Sequence, residues 1–393
     1  MRDMKTNACK FLSKRTAMNQ TEQPMVVCSD SNDPLLFTPG PLTTSLSVKR
    51  AMLHDLGSRD EAFATATKDV IGRILHLAGG NEAFACVPVQ GSGTFAVEAM
   101  IASLIPATAS VLILENGAYG KRLADICLTH KISYQLSSHD ECTPIDVHSA
   151  ATLLRSGKFT HVAIVHCETT TGVLNRIDEI ARVATEMECS LFVDVMSSFG
   201  ILDIDVQAWN AEGIAFSSNK GLQAPPGIGL CVVKRSSLAA ACNGRTMALD
   251  LAPQHQMIEK CGQWRFTPPT HVLLGLQRAL DELDSEGGVK ARRRRYSNNC
   301  AVVVDKMRSI GFEAVVPPEH QAPVILAFPI TTGMNAPAFM AYMKQRGFIL
   351  YEGKCAKMPT FRVGCMGHIN TSGYIAFTEA CHEYFKSAHP ELS

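Results

Sequence analysis

The fourteen cysteines of this 393-residue chain include no CxxC pair and no cluster of cysteine with histidine. Zinc and iron–sulfur sites use such closely spaced ligands, and small secreted domains need a regular cysteine framework. The scattered cysteines therefore argue against a metal site and against a disulfide scaffold. They favour a reducing compartment, and we expect the protein in the cytoplasm.

Net charge is also absent, because 37 lysines and arginines balance 37 aspartates and glutamates. Proteins that bind nucleic acid or an anionic membrane usually carry a basic excess. No apolar run reaches the roughly 18–20 residues that a membrane-spanning helix needs. We therefore expect a soluble protein that acts on a small molecule, with neither nucleic acid nor membrane as its partner.

The first 33 residues lack hydrophobic periodicity and predict a disordered tail. Five basic residues stand against the single acid Asp3 within the first fifteen positions, which leaves an organelle-targeting segment open as an alternative. Two glycines, Gly287 and Gly288, then separate two amphipathic helical stretches. The pattern predicts a large domain at 34–287 and a smaller α+β domain at 288–393. The four arginines at 292–295 predict a solvated or subunit-facing surface.

Short, continuously apolar segments alternate with helical ones through the large domain. Continuous apolarity indicates strands that are covered on both faces, as in a parallel sheet. The sequence therefore predicts an α/β fold with an open, mainly parallel sheet between helices, in which ligands bind at the carboxyl ends of the strands. The predicted strands include 84–89, 110–115, 161–166, 190–195 and the pair around Lys220.

Lys220 lies between the apolar segments 214–216 and 228–233, and Pro225 and Pro226 follow it. This arrangement predicts a lysine in a rigid turn between two strands. An amine held away from bulk water near cationic groups loses its proton readily and condenses with an aldehyde such as pyridoxal phosphate. Taken alone, the stretch fits a solvated surface lysine at least as well.

The segment Gln-Gly-Ser-Gly-Thr at 90–94 lies between a predicted strand and a predicted helix. Small residues there leave backbone N–H groups and the helix dipole open to an anion, with the Ser92 and Thr94 hydroxyls as further donors. The spacing is not that of a dinucleotide fingerprint, so a single phosphate is the expected ligand. A plain helix-capping turn explains the segment equally well in isolation.

Three further strand ends carry polar or aromatic side chains. Asp194 ends a strand, where a buried carboxylate needs a cationic partner such as a protonated pyridine nitrogen. The loop after His166 is rich in hydroxyls, Thr170 among them, that can donate to a phenolic oxygen. Tyr119 follows the second strand and can stack on a flat heterocycle. Each of these residues also has an ordinary structural explanation. They indicate a binding site only because all of them lie at the same edge of the sheet.

Several long, collinear motifs make a resemblance specific. The chain resembles the fold-type I pyridoxal-phosphate aminotransferases of class V, and among them the 2-aminoethylphosphonate–pyruvate aminotransferases, over nearly everything from Leu35 to Phe385. The shared segments, as they stand here, are LLFTPGPLTTS, VQGSGTFAVEA, NGAYGKR, HCETTTGVLN, VDVMSSFG, SSNKGLQAPPG, WRFTPPTH and FRVG.

The resemblance implies a role for each candidate residue. Pyridoxal 5'-phosphate would be the cofactor, bonded to Lys220, with Asp194 on its pyridine nitrogen. Its phosphate would be held by Ser92, Gly93 and Thr94, and its ring by Tyr119. The resemblance also implies a homodimer, in which Thr267 reaches the phosphate of the neighbouring subunit, and a substrate acid bound by Arg362. The implied reaction moves an amino group from a donor to a 2-oxo acid acceptor such as pyruvate.

One departure from the 2-aminoethylphosphonate pattern leaves the substrate open. Gly57-Ser58-Arg59 is closer to the Gly-His-Arg of alanine–glyoxylate and serine–pyruvate aminotransferases, which are the alternative. Arg59 is either a second anion contact or part of a surface ion pair. A nicotinamide oxidoreductase lacks its fingerprint here, and a cysteine desulfurase would need a flanked nucleophile that neither Cys355 nor Cys365 provides. A binding protein that lost catalysis is disfavoured by the joint presence of Lys220, Asp194 and the phosphate segment.

Overall fold

The computed structural model describes residues 29–241, 244–331 and 334–388. Most of the predicted tail, residues 1–28, lies outside the described residues, whereas 29–33 form a turn in which Asp33 pairs with Lys49 at 2.7 Å. The helices are α1 (Leu46–Ala51), α2 (Glu61–Leu77), α3 (Gly93–Leu104), α4 (Ala118–Thr129), α5 (Val147–Arg155), α6 (Ile177–Glu186), α7 (Arg235–Ala240), α8 (Leu251–Cys261), α9 (Thr270–Glu286), α10 (Gly288–Ser309), α11 (Ala336–Gln345) and α12 (Thr371–Ala388), with a 3-10 turn at Pro318–His320.

The strands are short, and several of them are continuously apolar. They are β1 (Leu35–Leu36), β2 (Phe84–Gly91), β3 (Ser110–Glu115), β4 (Ser133–Ser138), β5 (His161–Val165), β6 (Cys167–Glu168), β7 (Val173–Leu174), β8 (Ser190–Asp194), β9 (Gly213–Ser217), β10 (Gly227–Lys234), β11 (Ile325–Pro329), β12 (Phe348–Ile349), β13 (Tyr351–Glu352) and β14 (Thr360–Gly364).

Seven of these strands form the central sheet in the order β2-β10-β9-β8-β5-β3-β4. Only β10 runs antiparallel to its neighbours, β2 and β9, and the other pairings are parallel. Both faces of the sheet are covered by apolar clusters, one including Ile74 and Leu280 and the other Ala96 and Met100. This confirms the predicted α/β fold with a mainly parallel sheet.

Strand direction decides where ligands meet the sheet. Because β2, β3, β5, β8 and β9 run the same way, their carboxyl ends lie along one edge. Gly91, Glu115, Val165, Asp194 and Ser217 end these strands. The loops that follow therefore converge on one region, although they are spread over about a third of the chain.

The carboxyl-terminal region is built on the antiparallel sheet β11-β14-β13. Its aromatic core includes Phe328, Phe339 and Phe361, and it also takes in Leu35 and Phe37 from the start of the described chain. Strand β1 pairs in parallel with β12. The entering segment thus packs on this smaller core, and the boundary between 34–287 and 288–393 stays a prediction.

The arginine run at 292–295 differs from its prediction as a solvated or subunit-facing surface. Arg292 is only 1% exposed, pairs with Glu286 at 2.9 Å and donates to the carbonyl oxygen of Gly221 at 2.9 Å. Arg295 pairs with the same carboxylate at 2.8 Å. Positions three apart share one face of a helix, so this pair faces inward while Arg293 and Arg294 are exposed.

No helix among the described residues is both long enough and apolar enough to span a membrane.

Candidate active site

A cavity of about 310 Å³ opens at the carboxyl edge of the central sheet. Six of the residues predicted from the sequence line it: Ser92, Gly93, Thr94, Tyr119, Asp194 and Lys220. Four others, Arg59, Thr170, Thr267 and Arg362, are not among its lining residues. The fold thus brings together side chains from four separate segments, at the carboxyl ends of β2, β3, β8 and β9.

Lys220 stands in the loop between β9 and β10, as predicted. Its ammonium donates a hydrogen bond to the carbonyl oxygen of Pro39, from the loop that precedes α1. Gly40 has a φ of 120°, and a Cβ there would overlap the Lys220 side chain, so a glycine is required for this close approach. Burial lowers the pKa of Lys220 against the opposing effect of Tyr119, and the charge of Arg362 lowers that pKa further. The amine is therefore prepared to act as a nucleophile or base.

Asp194 ends β8 and is 6% exposed. Its Oδ1 accepts a hydrogen bond from the backbone N–H of Met196 at 2.8 Å, and no cationic side chain among the described residues lies within ion-pair distance. Burial raises the pKa of the Asp194 carboxyl to about 6; the Met196 N–H opposes this, and the Glu168 carboxylate adds to it. A buried carboxylate in this state fits a ligand that brings its own positive charge.

The segment after β2 leads directly into α3, whose N-cap is Ser92. The Ser92 hydroxyl makes no capping hydrogen bond, and a Cβ on Gly93 would overlap the side chain of Met196. The first turn of α3 therefore presents N–H groups and a free hydroxyl beside the cavity, which suits a phosphate. The Ser217 hydroxyl, also in the lining, is buried without a hydrogen-bond partner among the described residues.

Arg122 is a lining residue that the sequence reasoning missed. Its Nη1 donates to the Thr94 hydroxyl at 3.0 Å, and its guanidinium lies 4.8 Å from the centroid of the Tyr119 ring. Its position could have been predicted from the sequence, because Arg122 is three residues after Tyr119 and such positions share one face of a helix. The guanidinium adds a cation to the phosphate end of the cavity.

Tyr119 lies in the first turn of α4, with its backbone N–H on the Glu168 carboxylate at 3.0 Å. Burial alone would raise the pKa of the Tyr119 hydroxyl, but the charges of Lys220 and Arg362 bring that pKa below its usual value. Several cations therefore converge on this one ring at the cavity wall.

Thr170 is fully buried behind that wall. Its hydroxyl donates to Glu168 Oε1 at 2.6 Å and accepts from the backbone N–H of Ala118 at 3.0 Å. Thr169 lines the cavity in its place. Thr170 thus ties the hydroxyl-rich loop to the start of α4.

Arg362 lies on β14 and is 3% exposed. Its Nε and Nη2 donate to the carbonyl oxygen of Glu352 at 3.2 and 3.1 Å, and its Nη1 donates to the carbonyl oxygen of Thr169 at 3.1 Å. No carboxylate in the described part of the chain forms an ion pair with it. A buried guanidinium without a carboxylate partner suits an anionic ligand.

Arg59 and Thr267 lie on the exposed surface. Arg59 forms no ion pair with any described residue, so the surface ion pair considered above is absent. The carbonyl oxygen of Thr267 accepts from the side-chain amide of Gln90, next to the phosphate segment. Neither residue reaches the cavity of its own chain.

A larger cleft of about 790 Å³ lies elsewhere, beside α9 and α12. Several of its charged groups already have partners: Arg292 and Arg295 pair with Glu286, while Glu282 accepts from the hydroxyls of Ser45 at 2.5 Å and Ser47. The smaller cavity is therefore the candidate active site. It offers a helix N-terminus for a phosphate, an aromatic wall, a buried carboxylate and an amine, which together fit pyridoxal phosphate.

Comparison with known proteins agrees with this geometry. The family model described as Aminotransferase class-V matches residues 43–380. A 2-aminoethylphosphonate–pyruvate transaminase of Pseudomonas putida is 44% identical over 360 residues, covering 91% of this chain and 98% of its own. One from Burkholderia pseudomallei is 46% identical over 340 residues, covering 85% and 92%. Pyridoxamine–pyruvate aminotransferase from Mesorhizobium loti has a similar structure, with a TM-score of 0.83 at 24% identity over 91% of this chain and 94% of its own.

Proposed function

The chain belongs to the class-V aminotransferase family, and on that premise we propose that it moves the amino group of 2-aminoethylphosphonate to pyruvate, giving phosphonoacetaldehyde and L-alanine. The proposal rests chiefly on relatives of that name, which are 43–46% identical to this chain over most of its length. The buried, carboxylate-free guanidinium of Arg362 supports it, because both substrates present an anion. The cofactor is pyridoxal 5'-phosphate.

Bound pyridoxal phosphate supplies an aldehyde that takes up the amino group and a ring that accepts the electrons freed at the substrate carbon. Lys220 would hold the cofactor, and its Nζ would accept the proton from the substrate carbon that bears nitrogen. Burial lowers the pKa of Lys220, which favours the neutral amine that this role needs. Asp194 would keep the ring nitrogen protonated, and Ser92, Gly93 and Thr94 would hold the phosphate.

Arg362 binds the acid group of each substrate in turn. Its fork matches the oxygens of a carboxylate or of a phosphonate. A single acid site used by both partners explains how one cavity serves donor and acceptor.

We propose that the protein is a cytoplasmic homodimer whose active sites each use residues of both subunits. Thr267 and Arg59 act on the cavity of the partner subunit. Thr170 contributes to cofactor binding through its own loop. Both Thr267 and Arg59 are exposed here and do not line their own cavity. Light scattering measures the dimer directly. Mixing Lys220→Ala subunits with Thr267→Ala subunits should raise activity above that of either variant alone, because half of the sites in a mixed dimer regain both residues. Monomers, or failure of active mixed dimers to form, would contradict the proposal.

The deciding experiment for the reaction is to mix purified protein with 2-aminoethylphosphonate and pyruvate and to measure alanine. The second candidate is an alanine–glyoxylate or serine–pyruvate type aminotransferase, which Arg59 in Gly57-Ser58-Arg59 favours. Efficient transamination of serine or alanine with glyoxylate, with 2-aminoethylphosphonate untouched, would replace the first proposal by the second.

A further inference from the structure

The two acids in the proposed reaction differ in charge. A carboxylate carries one negative charge, whereas a phosphonate carries two once its second proton is lost, and the ammonium group of 2-aminoethylphosphonate favours that loss near neutral pH. The guanidinium of Arg362 matches a single charge. A site that prefers the phosphonate therefore needs a second cation near Arg362.

Lys354 lies in the connection between the paired strands β13 and β14. Its Nζ is 5.7 Å from the centroid of the Tyr119 ring, and Tyr119 lines the cavity. No carboxylate in the described part of the chain forms an ion pair with Lys354. Its charge is therefore available to a ligand that binds beside Tyr119.

The connection that carries Lys354 is fastened to the large domain. The carboxylate of Glu141 accepts from the backbone N–H of Ala356 at 2.7 Å and from Cys355 Sγ at 3.3 Å. Lys357 forms an ion pair with Asp140. These contacts hold the segment next to Lys354 in one place, which reduces the entropy lost when its ammonium binds an anion.

On the other side of Lys354 the same hairpin holds Arg362. Strand β13 pairs with β14 so that Tyr351 faces Arg362, and the carbonyl oxygen of Glu352 accepts from that guanidinium. Lys354 is thus two residues beyond an Arg362 contact. The lowered pKa of Tyr119, which burial alone would raise, has the charges of Lys220, Arg362 and Lys354 among its causes, so all three charges act on the same hydroxyl.

The other candidates for this role are less suitable. Arg122 is bonded to Thr94 at the phosphate end of the cavity. Arg59 and Lys354 both lie outside the lining of their own chain's cavity, but Lys354 approaches the ring of Tyr119, which does line it. We propose that Lys354 is the second cationic contact for the acid group of the donor and that it selects a dianionic phosphonate over a monoanionic carboxylate. The proposal rests on the proposed function, because it names the residue that distinguishes its two acids.

The test uses the holoenzyme and two inert anions that carry the same ethyl group, ethylphosphonate and propionate. Binding is measured by titration calorimetry at a pH above the second pKa of ethylphosphonate, where this anion carries two charges. Lys354→Ala and Lys354→Gln should weaken ethylphosphonate roughly ten- to fiftyfold, the loss expected for one charge-assisted contact. Propionate should change less than about threefold, because Arg362 alone matches its charge. Lys354→Arg should keep most of the affinity. The matched control is Lys344→Ala, which removes an exposed lysine from α11.

Turnover provides a second, separate measurement. The specificity constant for 2-aminoethylphosphonate should fall in Lys354→Ala by the same factor as ethylphosphonate affinity, while the half-reaction with L-alanine stays within about threefold. Equal losses for both anions, or no loss for ethylphosphonate, would overturn the role of Lys354. If the wild type does not turn over 2-aminoethylphosphonate, the proposed function fails, and the binding ratio of the two inert anions still decides whether Lys354 selects a dianion.

Discussion

The carboxylate of Glu168 accepts a hydrogen bond from the backbone N–H of Tyr119 at 3.0 Å. The same oxygen accepts from the N–H of Gly120 at 3.1 Å, while the other oxygen accepts from the hydroxyl and the N–H of Thr170. One buried side chain thereby fixes the first turn of α4 and the hydroxyl-rich loop to each other. The position of the Tyr119 ring depends on a residue that does not itself line the cavity.

Glu168→Gln keeps the shape of this side chain but replaces one accepting oxygen by an NH₂ group. Two N–H donors of α4, or the Thr170 groups, then lose their acceptor inside the protein. We expect a loss of about 1–3 kcal/mol in the free energy of unfolding, measured by denaturant unfolding. Glu319→Gln, an exposed change, is the control. Equal stability of the two variants would show that the carboxylate is not needed.

Lys220 should be the only lysine that bonds to the cofactor. Borohydride reduction of the purified protein followed by peptide mapping should place the cofactor on Lys220, because its amine is enclosed and its pKa is lowered by burial. Lys354 is the informative comparison, since its ammonium also lies near Tyr119. Label on Lys354 or on any other lysine would refute the assignment.

Asp194→Asn should leave cofactor binding largely intact and slow turnover by several powers of ten. The amide keeps the shape of the carboxylate but cannot hold a proton on the ring nitrogen, so the ring accepts electrons poorly. Absorbance of the bound cofactor and the rate of alanine formation separate the two effects. Near-normal turnover would mean that Asp194 is only a structural carboxylate.

The same residue should make the stability of the cofactor-free protein depend on pH. Because burial raises the pKa of Asp194 to about 6, the folded state binds a proton more tightly than the unfolded chain, whose aspartate titrates near 4. Ionisation therefore costs stability as pH rises from about 4 to 6, by about 2–3 kcal/mol in all. As pH rises through this range, the free energy of unfolding of cofactor-free Asp194→Asn should increase relative to that of the wild type, as measured by denaturant unfolding. A stability difference that does not change with pH would contradict the raised pKa.

Arg362→Lys keeps the charge and removes the fork. If one site binds donor and acceptor in turn, the specificity constants for 2-aminoethylphosphonate and pyruvate should both fall, by roughly ten- to a hundredfold. Steady-state kinetics with each substrate varied in turn measure both values. A loss confined to one substrate would indicate separate acid sites. If Arg59 of the partner subunit shares the role of Lys354, Arg59→Ala should also weaken the phosphonate more than pyruvate.

Local patterns in the sequence were enough to predict the α/β fold and the place of Lys220 between two strands. Continuous apolarity indicates burial on both faces of a strand, and turn residues indicate where strands end. Both patterns extend over only a few neighbouring residues, so they can be recognised from the sequence alone. The strand-end positions of Tyr119, Asp194 and the phosphate segment followed from the same logic, because parallel strands share a carboxyl edge. Their chemical roles came from resemblance and not from the pattern.

Contacts between distant segments were decided only by the tertiary structure. Four arginines in a row predict a solvated or subunit-facing surface, yet Arg292 is buried against Glu286 and the Gly221 carbonyl because the packing of α10 selects one face of the helix. Thr170 faces Glu168 and not the cavity, and Lys354 meets Tyr119 from 235 positions further along the chain. Periodicity encodes which residues are buried, but it does not encode which loops the packing of two cores brings together.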